Sequence, residues 1–338
     1  MRKLCVSLVM LAMLMTVVGC GSAQGKKDSK LSSAGGKKGP YKIVTTCAMV
    51  TDIVKIVAGD KAEVVGLMGE NVDPHTFTPT SAHVRELMSS DVIFYVGLLL
   101  EGRMADTFTR VGRSKKVYAV TEELDRKRLR ETAEFHDHFD PHAWMDVSLW
   151  SKCSEFVAKS LSEFDPANAQ YYDKNVKAYV ERLKKLDDYA RTSLATIPDD
   201  SRVLVTAHDA FGYFAIAYKL EVLSVQGLST ESEASLRDIN KLVKKIHNRK
   251  IRAVFVEKSV SSKNIDAVIE GVHKLGFKVK RGGSLFSDSM GKPGTYEGTY
   301  EGMIDHNVTL ITRTLGGKAP VKGLNGKLTL VEEEEAKK

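Results

Sequence analysis

Residues 165–198 read DPANAQYYDKNVKAYVERLKKLDDYARTSLATIP. Asp165 is a good capping residue, and Pro166 suits the first helical position, where no amide hydrogen is needed. Val176, Val180, Leu183, Ala190 and Leu194 recur at helical spacing, Lys and Asp fill the opposite face, and Pro198 closes the run. The spacing predicts one helix over about Pro166 to Thr196. No Gly interrupts it, so the stretch reads as a stiff strut and not a hinge.

On either side of the strut, β-rich runs alternate with helix-length segments. Before it come Lys42 to Thr46, Ala62 to Met68, Asp91 to Gly97 and Lys116 to Val120. After it come Arg202 to Ala207, Glu221 to Gln226, Ile251 to Glu257 and Phe277 to Lys280. The pattern predicts an α/β protein of two lobes, each a mainly parallel four-stranded sheet flanked by helices, joined by the long rigid helix. The expected segments are a leader (1–19), a tether (20–40), an N-terminal lobe (41–165), the linking helix (166–197), a C-terminal lobe (198–318) and a tail (319–338).

The chain has 338 residues, 43% hydrophobic and 28% charged, which is the balance of a globular protein with a real core. Its net charge is +7. Arg2 and Lys3 contribute two of these charges. Lys26, Lys27, Lys30, Lys37 and Lys38, less Asp28, contribute four. Only one excess positive charge is left for the body, so a basic nucleic-acid groove is excluded.

The first residues have the parts of a secretory signal: Arg2-Lys3, an apolar run from Leu4 to Val18, then small residues. The run is shorter than the roughly 20 residues of a bilayer span. It ends Val17-Val18-Gly19-Cys20 and resembles the bacterial lipobox, in which the Cys becomes the first residue and carries acyl chains. Cys20 is therefore the expected lipidation site, and the Gly/Ser/Lys segment after it reads as a solvated tether on the extracytoplasmic side of a membrane, periplasmic or cell-surface. Cys5 leaves with the signal. Cys47 and Cys153, in apolar surroundings, read as buried thiols more readily than as a disulfide, and without CxxC spacing a Cys-based zinc site is out.

Among nine His, three stand apart. His75 lies in Asn71-Val72-Asp73-Pro74-His75-Thr76-Phe77-Thr78-Pro79, and His142 in Asp140-Pro141-His142-Ala143-Trp144-Met145-Asp146. The Asp-Pro-His triplet thus occurs twice, and its Pro rigidifies the approach to the His. His208 directly follows the strand Val203 to Ala207, at the strand end where open α/β sheets bind ligands. Three such His from both lobes point to one metal site between them. A carboxylate from the second lobe completes it, with Asp288, Glu257 and Asp305 as candidates. His83, His247, His273 and His306 read as solvated or supporting residues.

These motifs resemble the zinc/manganese solute-binding lipoproteins of bacterial ABC transporters, the TroA-like (cluster A-I) family. The resemblance spans about residues 41 to 316. It rests on Asp73 to Phe77, Asp140 to Trp144, Val205 to Phe214, Phe255-Val256-Glu257, Leu285 to Asp288, and Tyr300 to Met303 with Asn307. The family implies two lobes on a long helix with the metal between them. It implies His75, His142, His208 and Asp288 as ligands, and Glu257 as a non-ligand position. It also implies an ABC permease with its ATPase subunit as partners and a monomeric carrier. Many zinc-specific members carry a His-rich loop before the second Asp-Pro-His. Here His136-Asp137-His138 is short, and a secondary metal contact at His136 and His138 is a weaker reading than a plain polar loop.

Three imidazoles and a carboxylate suit zinc, and they suit manganese or ferrous iron if the carboxylate binds through both oxygens. The expected function is capture of such a divalent ion outside the cytoplasm and delivery to the permease, with no catalysis. A surface adhesin or structural lipoprotein is the alternative. A metallohydrolase is less well supported, since His-Glu-x-x-His is missing. The phosphate-binding motifs GxxxxGK[ST] and GxGxxG are missing as well.

Overall fold

The structure, a computed structural model, describes residues 40–131 and 138–329. The segments read as leader and tether, with Cys20, lie outside the described residues, and so does His136. Among the described residues no helix is long and apolar enough to cross a membrane.

The N-terminal half runs β1 (Tyr41–Thr45), α1 (Ala48–Ala58), β2 (Ala62–Gly66), α2 (Ser81–Ser89), β3 (Val92–Tyr95), α3 (Ala105–Val111), β4 (Lys116–Ala119) and α4 (Val147–Phe164). Its strands form one parallel sheet in the order β2-β1-β3-β4. A short 3-10 turn, Pro166–Asn168, then leads into α5 (Ala169–Leu194), the long helix expected from the spacing. Asp165 does not cap this turn with its side chain. Its carboxylate instead accepts from Asn168 Nδ2 and the Tyr172 hydroxyl, at 2.7 and 2.6 Å.

The C-terminal half runs β5 (Val203–Thr206), α6 (Gly212–Tyr218), β6 (Glu221–Ser224), α7 (Leu236–Arg249), β7 (Ala253–Glu257), α8 (Lys263–Lys274), β8 (Lys280–Leu285) and α9 (Tyr300–Thr314). Here the strands are hydrogen-bonded as two parallel pairs, β5–β6 and β7–β8, with β5 beside β7. The last strand begins where the Phe277 to Lys280 run was expected to end. Its sequence, Lys-Arg-Gly-Gly-Ser-Leu, has no β-branched residue to announce it. The pairing register shifts between Val254 and Val256, opposite Gly282 and Gly283. A Cβ on Gly282 would lie 2.6 Å from the Phe255 ring, and Gly283 has φ +108°. Only glycine fits both demands, and β8 bulges there before the chain runs on to Asp288.

One apolar core serves both halves. It joins Ile43 and Phe94 of the first sheet, Trp144 and Trp150, Tyr179 and Leu183 of α5, Phe255 and Leu285, and Tyr300 and Met303 of α9. Each large side chain fully buried there contributes roughly 1.5–3 kcal/mol. A second cluster lies under α7 and α8, where Val243, Ile246, Val268 and Val272 pack on Val205 and Val254. Cys47 and Cys153 are buried free thiols, and burial pushes the Cys47 thiol up to about 12.

Candidate metal centre

The repeated Asp-Pro-His triplet builds the same turn twice. Asp73 Oδ1 accepts the His75 backbone N–H, and Asp140 Oδ1 accepts that of His142, both at 2.9 Å. Each is an aspartate turn whose middle φ the proline presets. The second turn runs almost directly into α4, where Asp146 accepts the Ser148 N–H at 2.8 Å. His208 leaves β5 within the reach of Glu257 at the end of β7. Glu257 Oε1 accepts the backbone N–H groups of Ala207 and His208, at 2.7 and 2.9 Å. Asn307 on α9 fixes the approach to Asp288: its Oδ1 accepts the Phe286 N–H at 3.0 Å and its Nδ2 donates to the Phe286 carbonyl at 2.7 Å.

The four loops bring His75, His142, His208 and Asp288 together. One donor atom from each lies within 4.8 Å of all the others, and all four residues are buried. The Nε2 atoms of His75 and His142 are 3.3 Å apart. Asp288 Oδ1 lies 3.4 Å from His142 Nε2, and Oδ2 lies 3.0 Å from His208 Nε2 and 3.8 Å from His75 Nε2. Donors 2.0–2.1 Å from a central zinc sit about 3.3–3.4 Å apart on the edges of a tetrahedron. The spacing fits an ion. So does the state of Asp288, whose two buried oxygens make no well-formed hydrogen bond within the protein and face only imidazole nitrogens, His208 Nε2 nearest at 3.0 Å. A carboxylate buried without a donor is costly unless a cation meets it.

Carboxylates behind the imidazoles set their orientation. His142 Nδ1 donates to Asp140 Oδ1 at 2.7 Å, which leaves Nε2 to face the centre. His208 Nδ1 lies 2.5 Å from Glu257 Oε2, an ion contact, and its Nε2 faces Asp288. Arg130 stands behind Asp140, 2.6 Å from its Oδ2, and reaches Asp209 Oδ2 at 2.7 Å. Tyr213 accepts the Arg130 backbone N–H and donates to the Asp140 carbonyl, at 3.0 and 2.8 Å.

Burial holds the His75 imidazole down at about 3. Burial also opposes a charge on His142, but Asp140 and Asp288 outweigh it and push His142 up to about 9. Glu257 and Asp288 do the same to His208. Despite its burial, Asp288 is held well below the usual carboxylate range by the two imidazoles. The pocket therefore demands positive charge. Protons on two imidazoles meet that demand, and so does a divalent ion.

The remaining sequence candidates fall elsewhere. Asp305 binds the Leu324 N–H and the Tyr296 hydroxyl, and it anchors the chain after α9. Glu257 lies behind His208 and outside the donor set. His138 is exposed and not among the four. His83 caps α2 with Thr80, and buried His306 donates to the Ser284 carbonyl at 2.9 Å. The ion contact between Glu257 and His208 and the bridging place of Arg130 escaped the sequence reading. A carboxylate ending the strand next to the His208 strand was the available signal.

The family description "ZnuA: Zinc-uptake complex component A periplasmic" matches residues 43–314. The chain is 41% identical over 299 residues to the manganese-binding lipoprotein MntA of Bacillus subtilis (strain 168), covering 88% of this chain and 95% of that protein. It is 42% identical over 316 residues to the zinc-binding protein TroA of Treponema pallidum (strain Nichols), covering 93% and 98%. The solved structure of the periplasmic zinc-binding protein TroA from Treponema pallidum superposes with a TM-score of 0.80 at 43% identity, covering 82% of this chain and 99% of that one.

Proposed function

Because the chain belongs to the ZnuA family of periplasmic zinc-uptake components, we propose that it is the substrate-binding lipoprotein of a metal ABC transporter. It captures zinc or manganese at His75, His142, His208 and Asp288 and delivers the ion to the permease. Residues 41–165 and 198–318 act as the two halves of the clamp, with 166–197 as the brace between them. The observation that carries this reading is the convergence of three buried imidazole nitrogens on the buried Asp288 carboxylate, with one donor atom from each within 4.8 Å of the others.

Both ions suit the donor set. One Asp288 oxygen completes a tetrahedron for zinc, and both together raise the donor number for manganese. Four protein ligands leave zinc no open position for a reactive water, which supports carriage over catalysis. Acylation at Cys20 would hold the carrier at the outer face of the membrane, beside a permease and its ATPase subunit, as a monomer.

The test is elemental analysis of the chain purified without chelator or added metal, with His208→Ala in parallel. The expected result is one tightly held zinc or manganese ion per chain, lost in the variant. A chain that holds no ion and takes up none on titration overturns the proposal.

A further inference from the structure

Two of the three imidazoles have a carboxylate against Nδ1, Asp140 hydrogen-bonded to His142 and Glu257 in ion contact with His208. His75 is held differently. The second oxygen of Asp73 does not turn back to the ring but accepts the Thr230 hydroxyl of the other half at 2.5 Å. Glu231, the next residue, accepts from Arg103 Nε at 2.6 Å. Arg103 Nη1 in turn donates to the Thr76 carbonyl and the Thr78 hydroxyl, at 3.2 and 3.4 Å. The loop around His75 is thus tied to the C-terminal half at two adjacent positions, Thr230 and, through Arg103, Glu231. His75 is also the most accessible of the four, at 5% exposed against at most 1% for the others. Arg103 and Glu231 lie at the surface, with side chains 45% and 47% exposed.

We propose that Arg103, Thr230 and Glu231 latch the His75 loop across the mouth of the site and set the rate at which the bound ion leaves. This rests on the metal reading above. The three are positioning residues: none reaches the ion, and each acts by holding the turn that presents His75. The ion exits on the His75 side because His75 is the most accessible of the four ligands and the one imidazole of the three with no carboxylate against its Nδ1. A permease that draws Glu231 or Arg103 away would open the exit without disturbing the other three ligands.

The test is the release rate of manganese or zinc from the loaded chain, mixed with excess chelator. Glu231→Gln should release roughly 2–5-fold faster, the scale of an exposed ion pair, and Thr230→Val up to about tenfold faster, the scale of a bond to a charged group. Wild-type release should accelerate with added salt, whereas Glu231→Gln should not respond. The swap of Arg103→Glu with Glu231→Arg should release more slowly than either single variant. Release unchanged in all variants, or an equal salt response in wild type and Glu231→Gln, overturns the latch while a normally loading wild type leaves the metal site standing. A wild type that loads no ion overturns both.

Discussion

Trp144 Nε1 donates to the Ser287 carbonyl at 2.9 Å, so the loop of His142 and the loop of Asp288 are hydrogen-bonded to each other. The two residues lie 143 apart in the chain, and Ser287 immediately precedes Asp288. Trp144→Phe keeps an aromatic ring and removes the N–H. The buried carbonyl then loses a partner, at a cost of about 1–3 kcal/mol. Metal affinity should fall roughly tenfold, as for other groups that orient ligands. Calorimetric titration and thermal melting together decide the matter. A lower melting temperature with unchanged affinity would make the bond structural only.

Glu257→Gln keeps an acceptor for the Ala207 and His208 backbone but removes the charge beside His208 Nδ1. Affinity should drop by about 10–100-fold while the fold is retained. Circular dichroism of the metal-free variant checks the second point and chelator competition the first.

Acidity should weaken metal binding over a wider range than free imidazoles would suggest. His142 holds its proton up to about 9 in the metal-free chain, because Asp140 and Asp288 outweigh its burial. The incoming ion must displace that proton. Because His208 is raised as well, apparent affinity should keep rising above about pH 6.5, where neutral imidazoles would already have levelled off. The same raised value stabilises the metal-free fold fully below the unfolded value of about 6.5, and this contribution is lost as pH climbs through 9. Chelator competition and melting at a series of pH values measure the two trends. A flat affinity above pH 7 would count against the charged His142.

Gly212→Ala probes the Arg130 bridge. A Cβ at Gly212 would lie 2.3 Å from Arg130 Nη1, so the guanidinium must leave its seat between Asp140 and Asp209. Affinity should fall several-fold, in the direction of Arg130→Ala but less far. Gly69→Ala, with open space around the new carbon, is the control and should change nothing.

Much of this was legible in the residues. The strands of the N-terminal half are rich in Val, Ile and Tyr and stand out from their helices, and α5 carries its period for 26 residues. The paired Asp-Pro-His triplets pointed to His75 and His142 through a turn that both in fact adopt. The last strand was misplaced because its geometry comes from Gly282 and Gly283 packing under Phe255 and Leu310, a tertiary demand with no local propensity behind it. Glu257 and Arg130 act across chain separations of 49 and 79 residues, and no spacing rule spans such distances.

The shared core has a consequence for recognition. Halves joined by a large apolar interface do not swing far apart, so filling the site cannot greatly change the outline of the molecule. A transporter that must tell a full carrier from a spent one is left with the rim, and under the proposed latch the side chains of Asp73, Arg103 and Glu231 would be held more firmly when His75 is engaged. Such a carrier would advertise its cargo by how firmly one small loop is held.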